Sequence, residues 1–265
     1  MSDFQYMSAS ALDEAAAKVK GAQDGSLLAG GMTLLPAIKL GLSSPSDLVD
    51  LSGVEDLGGI DVEGGSVTIG AMTTHAAVAG SSEIATAIPA LAALASGIGD
   101  PQVRNRGTIG GSIANNDPSA DYPAACLALG ATINTDQRSI AADDFFTGLF
   151  ETALGEGEII TSVSFPTPDK SAYQKFTSPA SRFALIGVFV SANSDGVRVA
   201  VTGCGQGGVY RDADLESALG ASFSADALDG KTVSSDNLMS DIHAAADYRA
   251  HLIVEMAKRA VAACS

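Results

Sequence analysis

Apolar residues alternate with polar ones in some stretches of this chain and recur every three or four positions in others. The switches between these periods mark its elements. Near the start, ALDEAAAKVK is helical in composition from Leu12 to Val19, and Gly21 and Gly25 stop it. SLLAGG follows as a short apolar strand ending in Gly30-Gly31. TLLPAIKLG then takes helical spacing, with Leu34, Leu35, Ile38 and Leu42 on one side, Thr33 near its start and Pro36 in its first turn, where a helix tolerates proline. SDLVDLSG reads as a second strand.

From residue 53 the pattern changes. SVTIGAMTT alternates as a strand, IPALAALASGI is an apolar helix, and RGTIGGSIANNDPSADYPAACLALGATI passes from a Gly-rich turn into a helix. EGEIITSVSFPTP is a strand ended by prolines. FALIGVFVS and GVRVAVTGCG predict a hairpin across Asn193-Ser194-Asp195-Gly196. The polar stretch from residue 210 to 240 carries short helices, and YRAHLIVEMAKRAVAA closes as an amphipathic helix. No internal repeat and no long low-complexity linker interrupts this order. An α+β protein in three regions is expected.

Composition narrows what these elements do. Of 265 residues, 46% are hydrophobic, too many for a disordered chain. Lys and Arg number 15 against 31 Asp and Glu, a formal charge of −16, which repels phosphate backbones and argues against nucleic-acid binding. No apolar run reaches the roughly 18–20 residues of a membrane span. MSDFQYMSAS lacks the basic end and apolar stretch of a signal peptide, so a soluble cytoplasmic protein is expected. Cys126, Cys204 and Cys264 stand far apart, without the close pairs that a cluster or structural zinc needs, and are expected to be buried inert thiols. His75, His243 and His251 are scattered; the last two would sit ~12 Å apart on one helix, too far to share a metal. Side chains so poorly equipped for chemistry point to a bound cofactor.

Two glycine turns offer places to hold one. Ala29-Gly30-Gly31-Met32-Thr33 joins a strand to a helix, where free N–H groups and the helix dipole suit an anion. It matches neither Gly-x-Gly-x-x-Gly nor a phosphate loop ending in Gly-Lys-Ser/Thr, and a plain tight turn explains it as well. The second, Thr108-Ile109-Gly110-Gly111-Ser112, runs on through Asn115, Asn116, Asp117 and Ala120 to Asp121. Its N–H groups could bind phosphate and Asp121 could bind ribose-like hydroxyls; equally, Asp117 and Asp121 could cap turns and the helix from Pro123. Two such turns suit a dinucleotide, whose pyrophosphate both can grip. Arg104 and Arg106 could offset its charge, but pairing with Asp100 or surface carboxylates is the favoured reading.

AGGMTLLPAIKLGL, IGDPQVRNRGTIGGSIANNDPSADYPAA, KFTSPASRFALIGV and DIHAAADYRAHL, in this order, resemble the flavin-binding medium subunit of the molybdenum hydroxylases, of the aerobic carbon monoxide dehydrogenase and xanthine dehydrogenase type. The resemblance covers nearly the whole chain. It implies the three-lobed, PCMH-type fold of the vanillyl-alcohol-oxidase-like class: an N-terminal α/β lobe at 1–54 and a middle α+β lobe at 55–168 that together hold FAD, and a C-terminal lobe of sheet and helices at 169–265. It implies that Leu28, Ala29, Gly30, Gly31, Met32, Thr33 and Leu34 wrap the pyrophosphate and ribityl end. Ile98 and Gly99 line the adenosine or ring side. Thr108, Gly111, Ser112, Ala114 and Asn115 form the second grip on the diphosphate. Ala120 and Asp121 meet flavin hydroxyls and Ile160 packs on the cofactor. Lys175 lies near the polar edge of the isoalloxazine, unless it is a solvated strand-end lysine. Phe183 either shields the ring or sits in the core.

The resemblance also implies partners. Electrons would leave substrate at a molybdenum cofactor on a large molybdopterin-binding subunit. They would pass two-iron iron–sulfur clusters on a small subunit, reach FAD here and go on to an external acceptor, in a dimer of heterotrimers. Two other readings compete: a free-standing flavin oxidoreductase and a nucleotide-binding scaffold without flavin. The absence of an acid, base or covalent-flavin residue beside the turns disfavours the first; the intact TIGG and DPSAD segments disfavour the second.

Overall fold

The computed structural model describes residues 3–264. The first elements are β1 (Gln5–Ser8), α1 (Leu12–Gly21), β2 (Gly25–Leu28), α2 (Leu34–Lys39) and β3 (Asp47–Asp50). β3 lies between β1 and β2 and runs parallel to both. Parallel strands need crossovers, and α1 supplies the one from β1 to β2, on the two sides of β3. Its first turn carries Asp13 and Glu14 and its last Lys18 and Lys20, matching the helix dipole. Ala15 and Val19 pack with Val49 and Leu51 of the sheet and with Leu57 and Ile159 from further along the chain.

α2 departs from expectation. Of its four apolar positions only Ile38 is fully buried, and Leu42 is 78% exposed. The helix ends at Lys39, and Gly41 behind it, at φ +73°, turns the chain away, so Leu42 falls outside the helix whose face it was expected to share. Thr33 occupies the N-cap position but makes no side-chain cap.

The middle region contains β4 (Ile60–Glu63), β5 (Ser66–Gly70), α3 (His75–Gly80), α4 (Ser82–Ala87), α5 (Pro89–Ser96), α6 (Pro101–Arg106), α7 (Ile109–Asn115), α8 (Tyr122–Leu129), β6 (Thr132–Thr135), β7 (Ser139–Ala141), α9 (Ala142–Phe145), β8 (Phe146–Gly148), β9 (Glu151–Thr152) and β10 (Ile160–Pro166). Its main sheet, in the order β4-β5-β10-β6-β7, is antiparallel throughout. In β5 the buried positions are Val67 and Ile69, the inward half of a period-two pattern.

The last region holds β11 (Lys170–Thr177), β12 (Ala184–Asn193), β13 (Gly196–Thr202), β14 (Tyr210–Arg211), α10 (Ala213–Ala221) and α11 (Ala246–Ala263). The expected hairpin is present, with Asn193 opposite Gly196. β12 is buried at almost every residue because both faces are covered: Ile186, Val188 and Val190 share a core with α11, while Phe189 joins the core of the middle region. α8, apolar all round, packs against β12 and β13 and is buried along its whole length. β11 has no counterpart in the expected elements. Cys126 and Cys204 are buried; Cys264, expected to be so, is only half-buried beside the chain end. No helix among the described residues is long and apolar enough to cross a membrane.

Candidate functional site

A cleft of about 540 Å³ opens where the three regions meet, within the usual range for small-molecule and cofactor sites. The two glycine turns face each other across it. Gly31 has φ +72°, a conformation that favours glycine. Gly30 is needed for a different reason: a Cβ there would overlap the Arg106 carbonyl, so the first turn touches the backbone just ahead of the second. Gly111 looks across at Ala29, and a Cβ on it would come 3.6 Å from the Ala29 methyl.

Their donors differ. The N–H groups of Ala29, Gly30, Gly31, Met32, Thr33 and Leu34 find no acceptor among the described residues, and all six residues line the cleft. In the second turn every early helical N–H is occupied. Ile109 donates to the Thr73 carbonyl at 3.1 Å and Gly110 to that of Ala71 at 2.9 Å. Gly111 donates to Thr108 Oγ1 at 3.2 Å and Ser112 to the Thr108 carbonyl at 3.0 Å. The expectation that this turn offers free N–H groups to a phosphate is therefore corrected. Gly111 lies inside α7, not in a free loop, because Thr108 caps the helix at once. What the turn leaves open is its close approach at Gly111 and the Ser112 hydroxyl and Asn115 amide, which make no hydrogen bonds among the described residues.

The opposite wall is charged. Asp121 is 4% exposed and makes no helix cap, contrary to that alternative; Asp117 does hold its turn, accepting from the Ser119 N–H at 2.8 Å. Asp121 Oδ2 accepts from Lys175 Nζ at 3.0 Å and Oδ1 from the Tyr173 hydroxyl at 2.5 Å. Burial raises the Asp121 carboxyl above its ordinary range, against the pull of Lys175 and the Tyr173 bond. Burial, with Asp121 behind it, pushes the Tyr173 phenol well above its own. Lys175 is neither solvated nor at a strand end. It sits inside β11 and also donates to the Gly97 carbonyl at 3.3 Å. Arg104 holds the next two carbonyls, Ile98 at 2.9 Å and Gly99 at 3.2 Å, so the favoured pairing with Asp100 is not formed. Asp100 instead caps α6, accepting from the Val103 N–H at 2.9 Å. Arg106 forms no ion pair among the described residues.

The structure brings together Ala29, Gly30, Gly31, Met32, Thr33, Leu34, Ile98, Gly99, Thr108, Gly111, Ser112, Ala114, Asn115, Ala120, Asp121, Ile160 and Lys175. Leu28 alone does not line the cleft; its side chain packs behind Gly31. Ala120 lines it, yet its N–H donates to the Asp117 carbonyl and its own carbonyl accepts from Thr202 Oγ1, so its backbone is already engaged. Phe183 is not a core aromatic: it is 49% exposed, at the cleft mouth. Sequence reading sets His75 aside as scattered, but it lines the cleft beneath Gly107, its Nδ1 buried without a partner among the described residues. Burial, helped by the Arg104 charge, lowers its imidazole to about 4. No pattern in the chain announces it.

Residues 2–168 match the family described as the FAD-binding domain in molybdopterin dehydrogenase. The nicotine 6-hydroxylase medium subunit of Paenarthrobacter nicotinovorans is 35% identical over 97% of this chain and 95% of its own. The carbon monoxide dehydrogenase medium chain of Hydrogenophaga pseudoflava is 33% identical over 97% of this chain and 96% of that relative. Among solved structures, a chain of the Hydrogenophaga pseudoflava carbon monoxide dehydrogenase superposes with TM-score 0.87 at 34% identity, covering 98% of this chain and 96% of that one. A chain of quinoline 2-oxidoreductase from Pseudomonas putida 86 gives 0.88 at 27% identity, over 98% and 96%.

Proposed function

The chain belongs to the family of FAD-binding domains of molybdopterin dehydrogenases, and from that premise we propose that it carries electrons through FAD between iron–sulfur clusters on a partner subunit and an external acceptor. It is the medium, flavin-binding subunit of a molybdenum hydroxylase-type oxidoreductase, with the PCMH-type fold of its relatives. We assign the molybdenum cofactor to a large molybdopterin-binding subunit and the two-iron clusters to a small one, the three forming a cytoplasmic dimer of heterotrimers. We retain the division at 1–54, 55–168 and 169–265. FAD, when bound, takes up an electron pair and releases it again.

The observation that carries this reading is the row of six N–H groups from Ala29 to Leu34, without acceptors among the described residues, on residues that line the cleft where the three regions meet. That donor set fits a pyrophosphate, and the dipole of the following helix adds to it modestly. The second turn meets it without side chains at Gly111, leaving room for a close ligand, and Ser112 and Asn115 add a hydroxyl and an amide. Asp121 offers an acceptor for a ligand hydroxyl. Lys175 holds a cation at the wall, and Ile98 and Ile160 supply apolar contact.

Co-purification tests the reading. The tagged chain, co-expressed with the neighbouring subunits, is expected to come down yellow with a large molybdopterin protein and a small iron–sulfur protein. Substrate added without oxygen is expected to bleach the flavin. A yellow chain that reduces acceptors alone, with no partners bound, would instead establish a free-standing flavin oxidoreductase.

A further inference from the structure

Lys175 and Tyr173 stand two residues apart on β11 and so project to one face of the strand. Both reach the same carboxylate, one on each oxygen of Asp121, 52 and 54 residues away in sequence. We propose that Tyr173 is a positioning residue of the cofactor cleft: its hydroxyl holds Asp121 as a carboxylate, whose other oxygen fixes the Lys175 ammonium at the wall. The cofactor then meets a compensated ion pair rather than a bare cation. This rests on the FAD reading above.

The phenol is built into place. Its ring lies 6.0 Å from that of Phe189, in the core of the middle region. Across the strand pair, Lys175 faces Gly187, and a side chain at Gly187 would strike the Tyr173 ring, whose Cζ lies 2.9 Å from the Cβ position. Glycine at 187 thus clears the space the phenol needs. A carboxylate so deeply buried is costly unless both oxygens are bonded. An ammonium has three N–H groups; Lys175 uses one on Asp121 and one on Gly97, which leaves one for a ligand.

The other titratable groups around Asp121 are few. Tyr122 follows it in the chain and Cys126 lies a turn along α8; burial raises both. Asp117 precedes it, and Asp100 and Arg104 belong to the adjoining wall. β12 and β13 present Gly187, Phe189 and Thr202 on this side, none of which titrates. Without the phenol, Asp121 would keep one bond and take up a proton more readily. Lys175 would then stand uncompensated at acid pH and favour an electron-rich flavin.

The test compares the wild-type full chain with Tyr173→Phe and Asp121→Asn. In the flavin-free chain, the carbon-13 shift of the Asp121 carboxyl is expected to titrate at least about one pH unit higher in Tyr173→Phe, the scale of one hydrogen bond to a charged group. With FAD bound, the midpoint potential of Tyr173→Phe should match wild type at alkaline pH and climb to that of Asp121→Asn as pH falls, at a higher pH than in wild type. FAD affinity should fall about tenfold. Should Tyr173→Phe fold poorly, fluorotyrosine at 173 keeps the ring and donates more strongly, and is expected to move the carboxyl midpoint down. Carboxyl titrations and potentials that coincide in wild type and both Tyr173 variants overturn the proposal. A shifted carboxyl midpoint in a chain that takes up no FAD upholds Tyr173 and overturns the cofactor reading instead.

Discussion

The two glycine turns of the cleft look alike in sequence, Gly30-Gly31 and Gly110-Gly111, and their backbones are in opposite states. The first stands on a three-stranded parallel sheet and leaves six successive N–H groups without partners among the described residues. The second is locked. Thr108 caps α7 with its hydroxyl and its carbonyl, and Thr73 and Ala71 take the two N–H groups before that. Identical residues thus serve different ends. One turn keeps donors for an anion, and the other gives up its donors to become a stiff wall that approaches closely. A glycine pair announces that the backbone must come near something; only the hydrogen bonds around it tell whether that something is a ligand or the protein itself.

Filling the close approach breaks the comparison most completely. Gly111→Val puts a branched side chain between the turns, 3.6 Å from Ala29 at its Cβ. The Cβ also comes 3.0 Å from Thr108 Oγ1, so the cap must give way, a loss of about 1 kcal/mol that the fold should survive, while bound flavin drops to about a tenth of wild type or less. Flavin absorbance per folded chain, with circular dichroism alongside, reads this. Normal flavin content in the folded variant would mean that the second turn does not border the cofactor.

Removing the charge at the end of the second turn comes next. Asp121→Ala leaves the Lys175 ammonium, 10% exposed, without its counter-ion. Breaking a buried pair in this way costs about 3–5 kcal/mol. A helix cap would cost about 1 kcal/mol. Urea unfolding of the flavin-free chain distinguishes them, and a loss near the lower figure would mean that the pair is hydrated.

These two variants also show how much the chain disclosed. The glycine turns, the hairpin at Asn193–Gly196 and the closing helix were legible because each follows from local period or turn chemistry. The ion pair of Asp121 was not, since its partners lie more than fifty residues away on a strand, KSAYQKFT, with no apolar alternation to mark it. Arg104 was misread for a related reason. Gly99, at φ +49°, belongs to a turn whose carbonyls satisfy the guanidinium without any carboxylate. Leu42 was misread because a helix end was placed three residues too late.

A subtler change separates scaffold from recognition. Thr108→Val removes the hydroxyl that accepts from Gly111 while keeping the side chain's shape. Stability should fall by about 1 kcal/mol, a few degrees in Tm for a chain of this size. FAD affinity should stay within about threefold, because the N–H groups proposed to hold the ligand belong to the other turn. Calorimetry and flavin titration on the same preparation give both numbers. A large loss of affinity at unchanged Tm would assign the second turn a direct hold on the ligand.

The smallest expected effect lies behind the first turn. If α2 served to carry free donors and little else, its outer residues would owe the core nothing. Leu42, 78% exposed beyond the helix end, makes the case. Leu42→Ser in the isolated chain should change stability by no more than about 0.5 kcal/mol in either direction, as surface positions do. Its neighbour Ile38 is buried, so the same substitution there would remove a packed side chain and is the natural control. Equal losses at the two positions would show that the chain past Gly41 packs more tightly than its exposure indicates, and the first turn would then rest on a firmer base than its open backbone suggests.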